Sequence, residues 1–154
     1  MGLSLLATIR PDSVNVALFV HVAGAMILVG GLVTAGTALL IGWRDSGPTA
    51  LRVGYFSLLA VALPGWILMR IGAQWTHSRE HLPDDFEPAW LGIGYITADL
   101  GGILLLLGLI LGGIGIRRVR AGGGAGLLKA STVITLLLVA AYVVAVWAMA
   151  GKPD

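Results

Sequence analysis

Three ionisable side chains, His21, Arg70 and Asp99, interrupt otherwise apolar stretches of the sequence. Charged groups are costly in an apolar environment, so such residues usually find partners inside a bundle or mark a functional site. Arg70 and Asp99 could form an ion pair that simply holds two segments together. His21 could hydrogen-bond to a backbone carbonyl, or its ring could bind a metal ion or a haem iron. The residue types alone are compatible with both a structural and a functional role.

The functional alternative is a polar pocket built from these three residues together with Gln74 and Tyr95. Such a pocket could bind a metal ion, a haem propionate or a small anion. Arg70 would supply the two parallel N–H donors that match a carboxylate. We therefore take His21, Arg70 and Asp99 as candidate cofactor-binding residues.

His77 and His81 are the candidate metal ligands, because a spacing of four residues places two imidazoles on one face of a helical turn. With a nearby carboxylate such as Asp84, they could hold a divalent ion such as Zn²⁺ or Cu²⁺. A buried haem b with two histidine ligands would require His77 to fold inward beside His21. The simpler interpretation is a solvated polar loop, since two histidines alone are an unspecific signal.

No recognisable catalytic motif is present in the sequence. It contains no cysteine, which excludes thiolate metal sites and cysteine nucleophiles. It also lacks a phosphate-binding P-loop, a dinucleotide-binding fingerprint and an H-E-x-x-H metal motif. We therefore expect a protein that is not an enzyme, and we find no motif for a nucleic-acid partner.

The composition indicates which elements must position these residues. Of 154 residues, 57% are hydrophobic and 12% are charged, whereas soluble domains have roughly 25% charged residues. The mean hydropathy of +0.92 requires an apolar solvent, and a lipid bilayer is one. We predict a single all-α transmembrane domain, a four-helix bundle with up-down topology. Its predicted helices cover residues 14–41, 51–75, 89–116 and 128–150.

Lysine and arginine are distributed unequally between the two ends of this bundle. The first and third loops hold six of them: Arg44, Arg52, Arg117, Arg118, Arg120 and Lys129. The termini and the middle loop hold three: Arg10, Arg79 and Lys152. Because basic loops stay in the cytoplasm, we expect both termini and the loop at 76–88 to lie outside a bacterial inner (plasma) membrane. At 1.5 Å per residue, His21, Arg70 and Asp99 would then lie roughly 7–13 Å below the outer end.

Glycine and proline residues within the predicted spans affect how the helices pack and how regular they are. Small residues recur four apart, at Gly31/Ala35, Gly94/Ala98, Ala98/Gly102 and Gly108/Gly112, and such faces let helices approach closely in lipid. We expect them to serve packing within the chain. Pro64 should disturb the second helix, because it cannot donate a hydrogen bond to the Ala60 carbonyl.

The segment FVHVAGAMILVGGLV, residues 19–33, resembles the first helix of a family of small bacterial four-helix membrane proteins of unknown function. The resemblance rests on His21, Gly24 and the pair Gly30-Gly31. The pattern is more distantly similar to copper-resistance D type membrane proteins and to HemJ-type protoporphyrinogen oxidases. The resemblance implies a four-helix architecture, and by that resemblance His21 would be the position associated with haem or metal.

Three functions are compatible with these observations. The first is a non-catalytic accessory or assembly subunit of a membrane complex, whose partners are the bilayer and other membrane subunits or further copies of the chain. The second is a haem- or metal-binding redox protein that uses His21. The third is a small transporter or channel, which a chain of this size could form only as an oligomer.

Overall fold

The computed structural model describes residues 12–45, 47–80 and 89–151, and every element in this part of the chain is helical. The prediction of an all-α fold is therefore confirmed. The elements are α1 (Asp12–Asp45), α2 (Pro48–Ser57), a π turn (Leu58–Ala62), α3 (Leu63–Glu80), α4 (Ala89–Arg120) and α5 (Gly126–Gly151). The π turn joins α2 to α3 without a break, so the described helices form four continuous rods.

These four rods are long and apolar enough to cross a membrane. The candidate membrane spans within them contain 31, 32, 32 and 26 residues, and their mean hydropathies lie between 1.7 and 2.5. About 20 residues suffice to cross the hydrocarbon core. The helices extend beyond the predicted spans; α4, for example, continues past residue 116 to Arg120. Long basic side chains allow this, because they can cover apolar surface while their charges reach water.

The first two rods are antiparallel and touch backbone to backbone, because glycines stand between them. A Cβ at Gly24 would overlap the backbone of Met69, and a Cβ at Gly72 would overlap the backbone of His21. Small residues at such points allow close packing where no hydrophobic force acts between helices. The small-residue faces of α1 and α3 thus serve packing within the chain.

The second rod contains the irregularity that Pro64 predicts. The Leu63 N–H bonds to the carbonyl of Leu58, five residues back, and this bond closes the π turn. Pro64 follows directly and has no N–H for the carbonyl of Ala60, which lies within that turn. The disturbed hydrogen bonding is therefore accommodated as a π turn, a form that commonly occurs singly inside α-helices.

The third and fourth rods form a second antiparallel hairpin. The buried Ser131 hydroxyl donates to the Gly108 carbonyl at 2.7 Å, which links α5 to α4. At the end of α4, Gly122 adopts a φ of 77°, and Gly123 donates its N–H to the Arg118 carbonyl at 2.8 Å. This is the Schellman arrangement, which favours glycine because other side chains rarely adopt a positive φ. It reverses the chain into α5.

The two hairpins do not pack evenly. α1 lies against α2, α3 and α5, and α4 packs mainly on α5, whereas α3 and α4 make few contacts. Side chains bridge the α3–α4 seam: Trp66 Nε1 donates to the Ala98 carbonyl at 2.8 Å, and its ring covers Gly102. Between Trp66 and the C-terminal end of α3, the wide seam leaves room for a cavity.

Candidate functional site

Arg70 and Asp99 form the ion pair that their positions predict. Arg70 Nη2 lies 2.7 Å from Asp99 Oδ1, and the bond connects α3 to α4 across the seam. The exposed fraction of the side chain is 29% for Arg70 and 58% for Asp99, so the arginine is the more enclosed partner. A charge-assisted bond of this length neutralises both groups.

Two aromatic rings extend this contact toward the end of α3. The Arg70 guanidinium lies 5.4 Å from the centroid of the Tyr95 ring, a cation–π contact. The exposed ring of His77 meets the same tyrosine edge-on, with 6.1 Å between centroids. Arg70 and His77 are seven residues apart and therefore share one face of α3. That face, opposite Tyr95 on α4, forms one wall of the cavity.

His21 is held by a bond to the backbone of the neighbouring helix. Its Nδ1 lies 2.9 Å from the Met69 carbonyl oxygen. Since a carbonyl only accepts, Nδ1 carries the proton and donates it. In the neutral ring, Nε2 then keeps its lone pair, on the side of the ring away from Met69. Gly72 permits this close approach, because a Cβ there would lie 2.6 Å from the Cα of His21.

A cavity of about 260 Å³ lies beside these residues, at the end of the bundle where α3 ends and α4 begins. All four rods contribute to its lining, through α1, α3, α4 and α5. Most of the lining is apolar. Six polar side chains interrupt it: His21, Arg70, Thr76, His77, Tyr95 and Tyr142.

Two polar atoms of cavity-lining residues are buried in the surrounding wall, and no acceptor for their protons lies within the described part of the chain. They are Arg70 Nη1 and Tyr142 Oη. Tyr142 is 3% exposed, and Gly101 makes room for it, because a Cβ there would lie 2.5 Å from Tyr142 Oη. A buried donor without an acceptor costs roughly 1–3 kcal/mol, so such groups are uncommon in folded proteins. Neither atom is accessible from the cavity, so both lie within its wall and not on its open face.

The cavity is lined by some of the residues predicted for the pocket and by others that were not predicted. His21, Arg70 and Tyr95 line it, while Asp99 contributes through its bond to Arg70. Gln74 is exposed and is not part of the lining. Sequence analysis missed Tyr142, because a lone tyrosine in an apolar span gives no sign of which helix it faces. Only the packing of α5 on α4 shows that its hydroxyl points inward.

Only one of the two predicted metal ligands lies in the described part of the chain. His77 lies in α3 and lines the cavity, whereas His81 lies outside the described residues. Within the described ranges, no group of three or more histidine, cysteine, aspartate or glutamate residues could hold a metal ion. His21 and His77 both line the cavity, and so do two thioether side chains, those of Met69 and Met149.

Comparisons of the chain with family models, with curated proteins and with solved structures give no match. The resemblance of residues 19–33 to small four-helix membrane proteins therefore stays a prediction, as does the haem or metal role that it implies for His21.

Proposed function

We propose that this protein is a non-catalytic binding protein of the membrane that holds a small molecule in the cavity between α1, α3, α4 and α5. The observation that supports this most is the cavity of about 260 Å³, which all four rods line and whose largely apolar wall carries six polar side chains. A few polar groups converging on an apolar pocket are typical of small-molecule sites.

The volume of the cavity limits the size of the molecule that it can hold. The cavity of about 260 Å³ lies just below the range of about 300–1,000 Å³ for pockets that bury drug-sized ligands. It therefore suits a small molecule, or the polar end of a larger one.

Charge distribution supports an outward position for this cavity. Arg44 lies in the last turn of α1, and Arg117, Arg118 and Arg120 lie in the last turn of α4, at the opposite end of the bundle from the cavity. The positive-inside rule places that basic end in the cytoplasm of a plasma membrane. An outward-facing binding site also fits the role of an accessory subunit that presents a ligand to a partner.

A metal ion is a second candidate, favoured by the geometry of His21. Histidines that bind metals commonly donate the other ring nitrogen to a carbonyl, as Nδ1 does here to Met69. His21 and His77 could provide imidazole ligands, and Met149 a thioether, a set that suits soft transition metals.

Filling the cavity tests the proposal. Ala73 lines it, whereas Ala140 is exposed on α5 and is not part of the lining. We expect native mass spectrometry of the protein, extracted gently from the membrane, to show a bound small molecule. The Ala73→Phe variant should lose this added mass, and the matched control Ala140→Phe should keep it.

Two results would count against ligand binding in this cavity. One is a bound mass that survives in Ala73→Phe; the other is the absence of any bound mass from all three proteins. Elemental analysis of the same samples separates the two candidates. A stoichiometric metal lost in His21→Ala would favour the metal site over the organic ligand.

A further inference from the structure

The outer edge of the α3–α4 seam exposes a carboxylate at a depth where lipid surrounds the bundle. Asp99 lies nine residues after Trp90, or roughly 13 Å below the interface at which such rings lie. Its side chain is nevertheless 58% exposed, and it is not part of the cavity lining. Carboxylates inside a membrane normally face the interior of a bundle or a water-filled space. Within one chain, the exposed part of Asp99 faces neither.

Gln74 adds a second exposed polar group to this edge, on the α3 side. It lies one helical turn beyond Arg70, so the two residues share a face of α3. Side chains lean toward the N-terminus of their helix, and α3 and α4 run in opposite directions. Gln74 therefore leans inward and Asp99 outward, toward a common depth. The edge carries donors, Arg70 and Gln74, on α3 and an acceptor, Asp99, on α4.

Exposed isoleucines flank these polar groups on both helices. Ile67 lies on α3, and Ile96 and Ile103 lie on α4. At 1.5 Å per residue, Ile67 and Ile103 are both roughly 20 Å from the outer end of the bundle. Lipid alone would suit these apolar side chains, but it does not suit the carboxylate and the amide between them. Branched side chains also have little rotamer freedom to lose when a protein surface packs on them.

We propose that this edge is covered by a second copy of the chain, related to the first by a two-fold axis along the membrane normal. All copies insert in one orientation, which fixes the direction of that axis. The rotation places α3 of each copy against α4 of the other. Gln74 of one copy then donates to Asp99 of the other, whose two oxygens can accept a further bond beside that from Arg70.

The direction of the ion pair favours a second copy over an unrelated partner. The Arg70–Asp99 bond joins two neighbouring helices at one depth, so its dipole lies along the membrane plane. A two-fold axis along the normal reverses this dipole in the second copy. Each guanidinium then faces the carboxylate of the other copy, and such an attraction is stronger in lipid than in water. An unrelated partner would have to carry its own donor and acceptor in matching positions.

Energy transfer between labelled copies tests the association. The full chain is labelled at Ala121→Cys, which is exposed at the basic end, and reconstituted in phosphatidylcholine vesicles over a range of protein-to-lipid ratios. We expect a saturating dimer. Gln74→Leu should weaken it roughly tenfold, because the symmetry removes two interhelical hydrogen bonds at once. The matched control Thr37→Val, which removes an exposed polar group from α1, should leave the association constant unchanged.

Two outcomes of this experiment would overturn the proposal. One is a chain that stays monomeric at every ratio, which would leave the edge to lipid or to a different protein. The other is a dimer that Gln74→Leu and Thr37→Val affect equally, which would place the contact on another face.

Disulfide cross-linking between differently tagged copies tests the geometry. The chain contains no cysteine, so copies with Ile67→Cys and copies with Ile103→Cys each carry one thiol. Because α3 faces α4 at one depth, we expect these two variants to cross-link with each other at least tenfold faster than Ile67→Cys cross-links with Leu137→Cys. Leu137 is exposed on α5 at a similar depth. Equal rates would indicate random collisions and would contradict the symmetric contact.

This inference does not rest on the proposed function, and the two can fail separately. The cavity lies inside each chain, so Ala73→Phe should leave the association constant unchanged. Gln74→Leu should in turn keep the bound mass seen by native mass spectrometry. A bound mass that is lost in Gln74→Leu would show that this edge serves the cavity and would overturn its role as the interface.

Discussion

The two terminal nitrogens of the Arg70 side chain have different surroundings. Nη2 bonds to Asp99 and connects α3 to α4, whereas the buried Nη1 has no acceptor within the described residues. Arginine suits this position because its planar group presents several donors at fixed angles. A lysine would meet Asp99 with a single point charge and without this planar arrangement of donors.

Exchange of the two charges tests the structural part of this role. Arg70→Asp and Asp99→Arg should each lower the free energy of unfolding by about 3 kcal/mol, because each leaves two like charges facing one another in the membrane. The double variant restores an opposite pair and should recover part of that loss, as seen in the melting temperature in detergent. A double variant no more stable than either single variant would show that the pair does not hold the seam.

The site was partly predictable from single residues. Arg70 and Asp99 could be paired from the sequence, because opposite charges in apolar spans have few alternatives to one another. His21 was identifiable for the same reason. Tyr142 was not, since tyrosine is tolerated in many membrane environments and its burial depends on Gly101 of another helix. Which residues line the cavity depends on how the helices pack, and the sequence alone does not reveal that packing.

Among the elements, the first hairpin shows how glycine position decides packing. Gly30 and Gly31 are adjacent, but only Gly31 faces the second rod: a Cβ there would lie 2.7 Å from the Ala62 nitrogen. A Cβ on Gly30 would meet nothing within 4 Å. Both residues belong to the pattern on which the family resemblance rests. Only the position of Gly31 requires a residue without a side chain, whereas the position of Gly30 has room for one.

This difference predicts opposite effects of the same substitution. Gly31→Ala should destabilise the protein by roughly 1–3 kcal/mol, because backbone atoms of α1 and the π turn must separate. Gly30→Ala should be neutral or stabilising by up to about 1 kcal/mol, since alanine favours a helix over glycine. Thermal unfolding in detergent compares the two. Equal destabilisation by both substitutions would mean that the close contact does not form.

The helices themselves were predictable because hydropathy and length select them with little ambiguity. Their ends were less so: α4 continues through Arg117 and Arg118 to Arg120, where charge alone suggests a loop. Pro64 indicated an irregular second helix, but not that the irregularity is a π turn. That form depends on how the backbone is accommodated between two packed rods, which local sequence does not specify.

The two ends of the helix bundle differ in charge and in packing. One end carries most of the basic residues and the Trp43–Lys129 cation–π contact, with 5.1 Å between the charge and the ring centroid. The other end opens into the cavity that holds His21 and the Arg70 side chain. Such an arrangement fits a protein whose inner end fixes its orientation and whose outer end binds a ligand.

The chain contains no cysteine, so a single introduced thiol can report on this arrangement without interference. Thr76 lines the cavity, and Ala121 is exposed in the turn after α4 at the basic end. The decisive measurement is the rate at which a membrane-impermeant maleimide labels Thr76→Cys and Ala121→Cys in intact cells. We predict labelling of Thr76→Cys from outside, slowed when Ala73→Phe fills the cavity, and labelling of Ala121→Cys only after the cells are permeabilised. Labelling of Ala121→Cys from outside, or a Thr76→Cys rate that Ala73→Phe does not change, would contradict an outward-facing cavity.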